Sequence, residues 1–390
     1  MEWTALLWPV VAVVVLRLCF AKQVIWQELV LPILPALVLI PACKIAGEAT
    51  MTKDSERHGG WVVRIEDHER WNEWVHKTCS YTTGSGKNKQ THYRDCSYVR
   101  NHPQYWVSID SNGHETQISH SQYQELVRRF KKPQSFKDMH RHYHTIDGDI
   151  YYVDAPIDWP LMKPVVTEHS YENRVKVSLS TFNYKRITHA DARHEGLFEY
   201  PEVSYLDDPI VLGSPIDQLA HDKWKYVNAR HGRKHEIRLW VLLFKNKPRS
   251  IAFDQESYWQ GGNKNEFVIC LGLDGENVVD WMECFSWSPD GYAGNDLMAL
   301  ELQDRFEEKP LDLLALADDI NKKIDQHWKR KSFKEFAYIR VYLPWWMHLI
   351  VHVITIMSTV AVCAWAVANE HGETDSEHNH NRYRRPSLLR

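Results

Sequence analysis

The tightest constellation of reactive side chains is His76-x2-Cys79-x12-His92-x3-Cys96. Two thiolates and two imidazoles suit tetrahedral zinc, and two ligands on each arm of a hairpin is a zinc-finger spacing. A closed four-ligand site of this kind would be structural. The same residues also permit a Cys79–Cys96 disulfide across the hairpin, whose turn would be Gly84-Ser85-Gly86. That bond needs only facing cysteines and an oxidising compartment. The third alternative is two unpaired cysteines. The choice bears on location, since a disulfide places this region outside the cytoplasm and zinc permits either side.

A second metal candidate follows in Asp138-Met139-His140-Arg141-His142-Tyr143-His144. On a strand, His140, His142 and His144 face the same way, and three imidazoles near Asp147 or Asp149 suit a transition metal. The alternative is a hydrated sheet face. His189 and His194-Glu195 do not make a metalloprotease pattern, which needs two histidines four apart on a helix with Glu between them. Gly84-Ser85-Gly86-Lys87 is followed by Asn88 where a phosphate loop needs Ser or Thr, so it reads as a turn. The segment Tyr258 to Asn263 joins two apolar runs. Its Trp259, Gly261, Gly262 and Asn263 make a candidate binding loop, with glycines that permit unusual backbone angles; a conformationally demanding loop with no ligand is the other reading. Cys19, Cys43 and Cys363 fall in apolar spans, and Cys270 and Cys284 in apolar strands, where cysteine packs as a small hydrophobe. No nucleophile–base–orienter set is legible.

These candidates sit in a 390-residue chain that is 44% hydrophobic and 25% charged, values of a folded protein. The net charge of −4 gives no basic excess, so nucleic acid is not an expected partner. Three apolar stretches stand out: Trp3 to Phe20, Val24 to Ile45 and Pro344 to Ala368. About 20 mainly apolar residues cross a bilayer as a helix, so the sequence predicts about three transmembrane helices. The first two form a hairpin over 1–47, with Pro32, Pro35 and Pro41 kinking its second member; a re-entrant or interfacial segment is the alternative for that member. The last covers 344–368, has Trp345, Trp346 and Trp365 near its ends as interfacial anchors, and is followed by a polar tail over 369–390. The expected location is a plasma or inner membrane. The basic residues flanking the soluble region favour the cytoplasmic side and a disulfide favours the other, so the orientation stays open.

Between the spans, residues 48–205 read as a β-rich module with strands at Trp61–Ile65, Tyr105–Ile109 and Val175–Leu179 and one helix, Ser121–Phe130. Residues 206–343 read as an α/β module. It has a helix over Pro215–Ala229, buried strands Ile237–Phe244 and Glu266–Leu271, a paired strand Val278–Trp287, and helices Leu297–Phe306 and Leu311–Trp328. A basic juxtamembrane helix is expected over Lys329–Arg340. The fold class is therefore α+β and membrane-anchored.

The second module resembles the TPM domain family. The likeness lies in the helix before Ile237, the strand IRLWVLLF, the segment YWQGGNKNEFVICLG with Trp259, Gly261, Gly262 and Asn265, and the strand VVDWMECFSW. It covers roughly residues 210–330 and carries no catalytic residue. The resemblance implies an α/β domain tethered to a membrane, mostly extracytoplasmic, linked to assembly or repair of membrane complexes and in some cases to phosphatase activity. The function expected is an integral membrane scaffold or accessory protein whose soluble region binds a protein partner or membrane complex. The alternative is a membrane-bound, metal-dependent, phosphatase-like hydrolase.

Overall fold

The structure, a computed structural model, describes residues 2–19, 32–84, 86, 89–139, 148–177, 184–287, 295–330 and 332–382, with side chains to residue 365. A 3-10 turn, Glu2–Leu6, leads into helix α1, Leu7–Cys19. Helix α2 is Ile33–Thr52. Residues 24–31 of the expected second span lie outside the described residues. Pro32 occupies the N-cap, and Pro35 lies in the first turn, where the backbone N–H has no intrahelical acceptor. Only Pro41 lies inside the helix and removes a hydrogen bond.

Ten strands and two helices follow. They are β1 Lys53–His68, β2 Trp71–Val75, β3 Thr78–Thr83, β4 Gln90–Asp95, β5 Tyr98–His102, β6 Tyr105–Asp110, β7 Glu115–Ile118, helix α3 His120–Phe130, β8 Ser135–Lys137, β9 Ile150–Asp154, β10 Pro164–Glu172 and helix α4 His189–Glu195. A sheet in the order β7-β6-β1-β9-β8, with β10 also on β1, packs α3 on one face. Ser119 and Gln122 form a capping box that starts α3. Its Tyr123, Leu126 and Phe130 fall on one face and join Val62, Ile65, Val153 and Val165 in the core.

The chain continues through β11 Val211–Gly213, α5 Gln218–His235, β12 Arg238–Lys245, α6 Ser250–Tyr258, β13 Glu266–Leu273, β14 Val279–Ser286, α7 Asn295–Phe306 and α8 Leu313–His327. The sheet order is β11-β12-β13-β14, with the first three parallel and β14 antiparallel. β12 and β13 are buried on both faces, as a near-continuous apolar run requires. Leu239, Val241, Leu243, Phe267, Ile269 and Leu271 meet α5, α7 and α8. Trp240, Leu242, Phe244, Val268 and Cys270 meet α4 and α6. Each fully buried Leu or Ile contributes roughly 1.5–3 kcal/mol of transfer free energy.

A 3-10 turn at Phe333–Phe336 precedes helix α9, Trp345–Arg382. The basic stretch before α9 is thus not a helix. Tyr338, Ile339, Val341 and Tyr342 are aromatic or β-branched and favour helix weakly, and Pro344 disfavours helical backbone at Leu343. α9 itself runs past its apolar part, so the polar tail is helical as far as Arg382. Of the expected strand Val175–Leu179, residues 175–177 form a bend and turn, and residues 178–179 lie outside the described residues. Asn173 Oδ1 accepts the Lys176 N–H at 3.1 Å, which draws the backbone into a turn.

The chain divides into two compact units. Residues 55–169 and 183–332 form one, which holds both soluble modules together. Within it β1 passes directly over α5. A Cβ on Gly59 would lie 2.3 Å from the Asn228 carbonyl oxygen, and one on Gly232 would lie 2.4 Å from the Gly59 nitrogen. Only glycine allows backbones that close.

The other unit contains residues 1–54, 170–182 and 333–390. Its helices meet at Ala5, Ala36, Ile40 and Val351. Trp8 Nε1 donates to His352 Nδ1 at 2.9 Å, and Thr355 Oγ1 donates back to the Val351 carbonyl at 2.8 Å. These polar side chains bond to one another across helices or to backbone, while Val10, Val14, Leu37, Val38, Leu349, Val353, Met357 and Val360 face out. Two of its helical segments, Ile33–Thr52 and Trp345–Trp365, are long and apolar enough to cross a membrane; α1 and its preceding turn make a shorter apolar helix.

Candidate functional site

The His/Cys constellation lies on a two-stranded ribbon. β2 pairs with β5 from Trp71–His102 to Val75–Tyr98, and β3 continues with β4 from Thr78–Asp95 to Thr83–Gln90. Between the two ladders the Cys96 N–H donates to the Lys77 carbonyl at 2.7 Å. At that junction Cys79 and Cys96 are joined by a disulfide, with Cα atoms 5.7 Å apart. Both sulfurs are thus committed to each other. His92 stacks on Tyr81 with ring centroids 5.3 Å apart, and its Nε2 lies 2.9 Å from Thr83 Oγ1. His76 stands edge-on to Trp74. The four residues do not converge as a zinc site here, because the bridge removes the thiolates and His92 is held by its strand neighbours. His140, His142 and His144 lie outside the described residues.

The ribbon buries almost nothing. Every residue of β4 is exposed, and Trp74, Tyr81, Tyr93 and Tyr98 present their rings to solvent, Tyr93 at 73% of its full area. A two-stranded hairpin of this kind is marginal in water. Closing a loop of this length with a disulfide contributes about 3 kcal/mol in the chain-entropy account.

The candidate binding loop is turned inward. It does not join two strands directly, because α6 intervenes and the loop closes that helix's C-terminal end. Trp259, Gly261 and Gly262 donate their N–H groups to Gln255, Glu256 and Trp259 carbonyls. Gln260, Gly261 and Gly262 all have positive φ, which explains the glycine pair. Trp259 is buried and donates Nε1 to the Phe198 carbonyl at 2.8 Å. The Asn263 N–H donates to Glu266 Oε2 at 2.8 Å, and its side chain donates to Tyr200 Oη at 3.2 Å. Tyr200 in turn donates to Glu266 Oε1, as does Trp240 Nε1 at 3.0 Å. Burial, then the Glu266 charge, pushes the Tyr200 phenol well above its ordinary range. The loop's polar groups serve this buried carboxylate.

Two histidine clusters escaped the sequence reading. In the first, His58 of β1 stacks on His169 of β10 at 4.3 Å, and His114 lies 5.4 Å from His169. Burial, then the facing His58 and His114, pulls His169 below the ordinary imidazole pKa. Glu56 stands 3.2 Å from His58 and pairs also with Lys264 and Arg330. Burial raises its pKa, but His58 and the two cations outweigh that and hold it below the usual carboxylate range. His58, His114 and His169 are too far apart in sequence for any spacing to reveal them.

The second cluster is His231 and His235 on α5 with Asp325 on α8. His235 Nε2 lies 2.8 Å from Asp325 Oδ1, and Lys234 Nζ lies 2.6 Å from the same oxygen. Hydrogen bonds from Lys234 and His235 lower the Asp325 pKa to about 2. His231 is fully buried, and burial lowers its pKa. Its Nε2 is 2.9 Å from Asn321 Oδ1, while Nδ1 is buried with no partner. The His-x3-His spacing was available in the sequence, but the predicted helix stopped at Ala229.

Comparison with protein-family models, curated proteins and solved structures finds no match.

Proposed function

We propose that the chain is an integral membrane scaffold or accessory protein whose disulfide-closed ribbon binds a protein partner at the membrane surface. The observation that carries this reading is the ribbon itself. Its strands pair only with each other among the described residues, both outer edges are open, and its aromatic rings face water. Aromatic side chains dominate the energy of protein interfaces, and open strand edges offer backbone hydrogen bonds.

Membrane anchoring is supported by the outward apolar faces of α2 and α9 and by the packing of Ala5 and Ala36 against Ile40 and Val351 where the helices meet, since small residues let spans approach in lipid. We extend it to a third span, because five 3-10 residues and thirteen α residues rise together by roughly 30 Å, the thickness of the hydrocarbon core. Tyr338, Tyr342, Trp345 and Trp346 are exposed where α9 begins, the pattern of an interfacial belt. A cavity of about 510 Å³ beside them is lined in part by Lys44, Arg174, Arg340 and His348 together with Glu48, which pairs with Lys44, a setting with an excess of basic groups suited to headgroup level. The disulfide supports a reading in which the soluble region faces the oxidising side of a plasma or inner membrane, against the bias of the flanking basic residues. The TPM-like reading of residues 210–330 belongs to the same proposal and agrees with an extracytoplasmic module.

The test is quantitative affinity purification of the full chain from native membranes, wild type against a variant carrying Trp74→Ala, Tyr81→Ala, Tyr93→Ala and Tyr98→Ala. A protein recovered with the wild type and lost at least tenfold from the variant is the expected result. Equal recovery of every co-purifying protein would contradict the reading.

A further inference from the structure

We propose that His231, His235 and Asp325 form a binding site for a divalent transition-metal ion of the zinc class. The site is built by two helices that run side by side in the same direction. Near their starts Trp224 Nε1 donates to the Leu313 carbonyl at 3.0 Å and Lys223 pairs with Asp318. Near their ends His231 meets Asn321, His235 meets Asp325, and Trp328 Nε1 donates to the His235 carbonyl. Both C-termini therefore lie together. Each carries the negative end of its helix dipole, so two partial negative charges converge where the imidazoles and the carboxylate stand.

The three residues each offer one ligand atom, and these atoms lie within 4.8 Å of one another. A tetrahedral zinc with bonds near 2.0–2.1 Å needs its ligand atoms ~3.3 Å apart. Small rotations of the two surface-side groups, His235 and Asp325, close that difference. Residues four apart on a helix face the same way, so the histidine spacing on α5 is the one a shared ion requires. Two imidazoles and one carboxylate are a common zinc set and leave a fourth position for water.

The surroundings fit an ion better than a plain ion pair. His231 is locked by burial, and its bond to Asn321 fixes the ring as an outer partner fixes a metal-bound imidazole. One of its nitrogens is buried without a hydrogen-bond partner, a state an ion or a small closing motion would relieve. Lys234 now neutralises Asp325, but its side chain is 63% exposed and can move into water. The ammonium thus acts as the competitor that a bound ion displaces.

This competition separates the proposal from a simple network of surface charges, and it does not depend on how the chain sits in a membrane. The full chain in detergent micelles, stripped with chelator, is titrated with Zn²⁺ by calorimetry and with Co²⁺ by visible absorption. Thermal melting monitors the fold of each variant. Wild type is expected to bind one ion with an absorption band of low-coordinate Co²⁺. His235→Gln and Asp325→Asn should each weaken that binding at least tenfold, and Lys234→Met should tighten it at least threefold. Failure of the wild type to bind overturns the proposal. So does binding unchanged in His235→Gln and Asp325→Asn, which would place the ion on other histidines. Weaker binding in Lys234→Met also overturns it, and that arm decides the matter even if the other variants do not fold.

Discussion

Cys79 and Cys96 are bonded where the two ladders of the exposed ribbon meet, with Cα atoms 5.7 Å apart. The bond ties Cys79, the second residue of β3, to Cys96, just past the end of β4, so it controls the distal ladder more than the base. Replacing both cysteines with serine should open residues 78–95 without unfolding the rest of the unit. Hydrogen exchange read peptide by peptide should show protection lost in β3 and β4 and kept in β12 and β13. The expected local cost is about 3 kcal/mol.

Gly59 and Gly232 are a second sensitive pair. A methyl group on Gly232 would meet the Gly59 backbone at 2.4–2.7 Å, where no flexible side chain can yield. Gly232→Ala should therefore cost several kcal/mol, on the order of the overpacking penalty or above. Gly275→Ala, where nothing lies near the added atom, should be close to neutral. Denaturant midpoints for the two variants measure the difference.

The buried pair of Arg238 and Asp208 predicts a non-additive response. The two groups are 2.5 Å apart, and the Arg238 guanidinium also lies over the Trp240 ring. Asp208→Leu alone leaves an uncompensated charge and should cost about 3–5 kcal/mol. Adding Arg238→Met should recover most of that loss, because an apolar pair of similar volume replaces the ions. A double-mutant cycle with additive costs would contradict this.

Stability should fall on mild acidification. His169, His221 and His231 have pKa values lowered chiefly by burial. Below about pH 6.5 the unfolded chain then binds protons that the folded chain does not, so unfolding becomes easier as pH drops. Glu56 acts in a lower window. Its depressed pKa gives stability present above about pH 4.5 and lost as pH falls through the folded value. Melting temperature should decline from pH 7 to pH 5.5, and His169→Gln should flatten that slope. A pH-independent wild type would refute the assignment.

The strands β12 and β13 and helices α3, α7 and α8 were legible in the sequence because apolar periodicity and caps state their burial directly. α6 was missed because it lacks a single apolar stripe, packing Ile251 and Ala252 beside the buried Gln255. The end of α5 was missed because Gly232 disfavours helix locally, while its contact with Gly59 makes glycine necessary there. Candidate sites read less well. The His/Cys spacing located the ribbon but could not choose between bridge and zinc, since both need the same residues. The loop at Trp259 looked open because nothing local shows that Glu266 draws its polar groups inward. His58, His114 and His169 meet only through sheet pairing.

Photocrosslinking from the ribbon in living cells tests the central claim most directly. A photoreactive residue at Tyr93, the most exposed ring of the ribbon, is compared with one at Tyr338 near the start of α9. A discrete protein adduct formed from position 93, absent from position 338 and lost when Cys79 and Cys96 are replaced by serine, is the predicted result. No adduct from position 93, or the same adducts from both positions, would contradict the account.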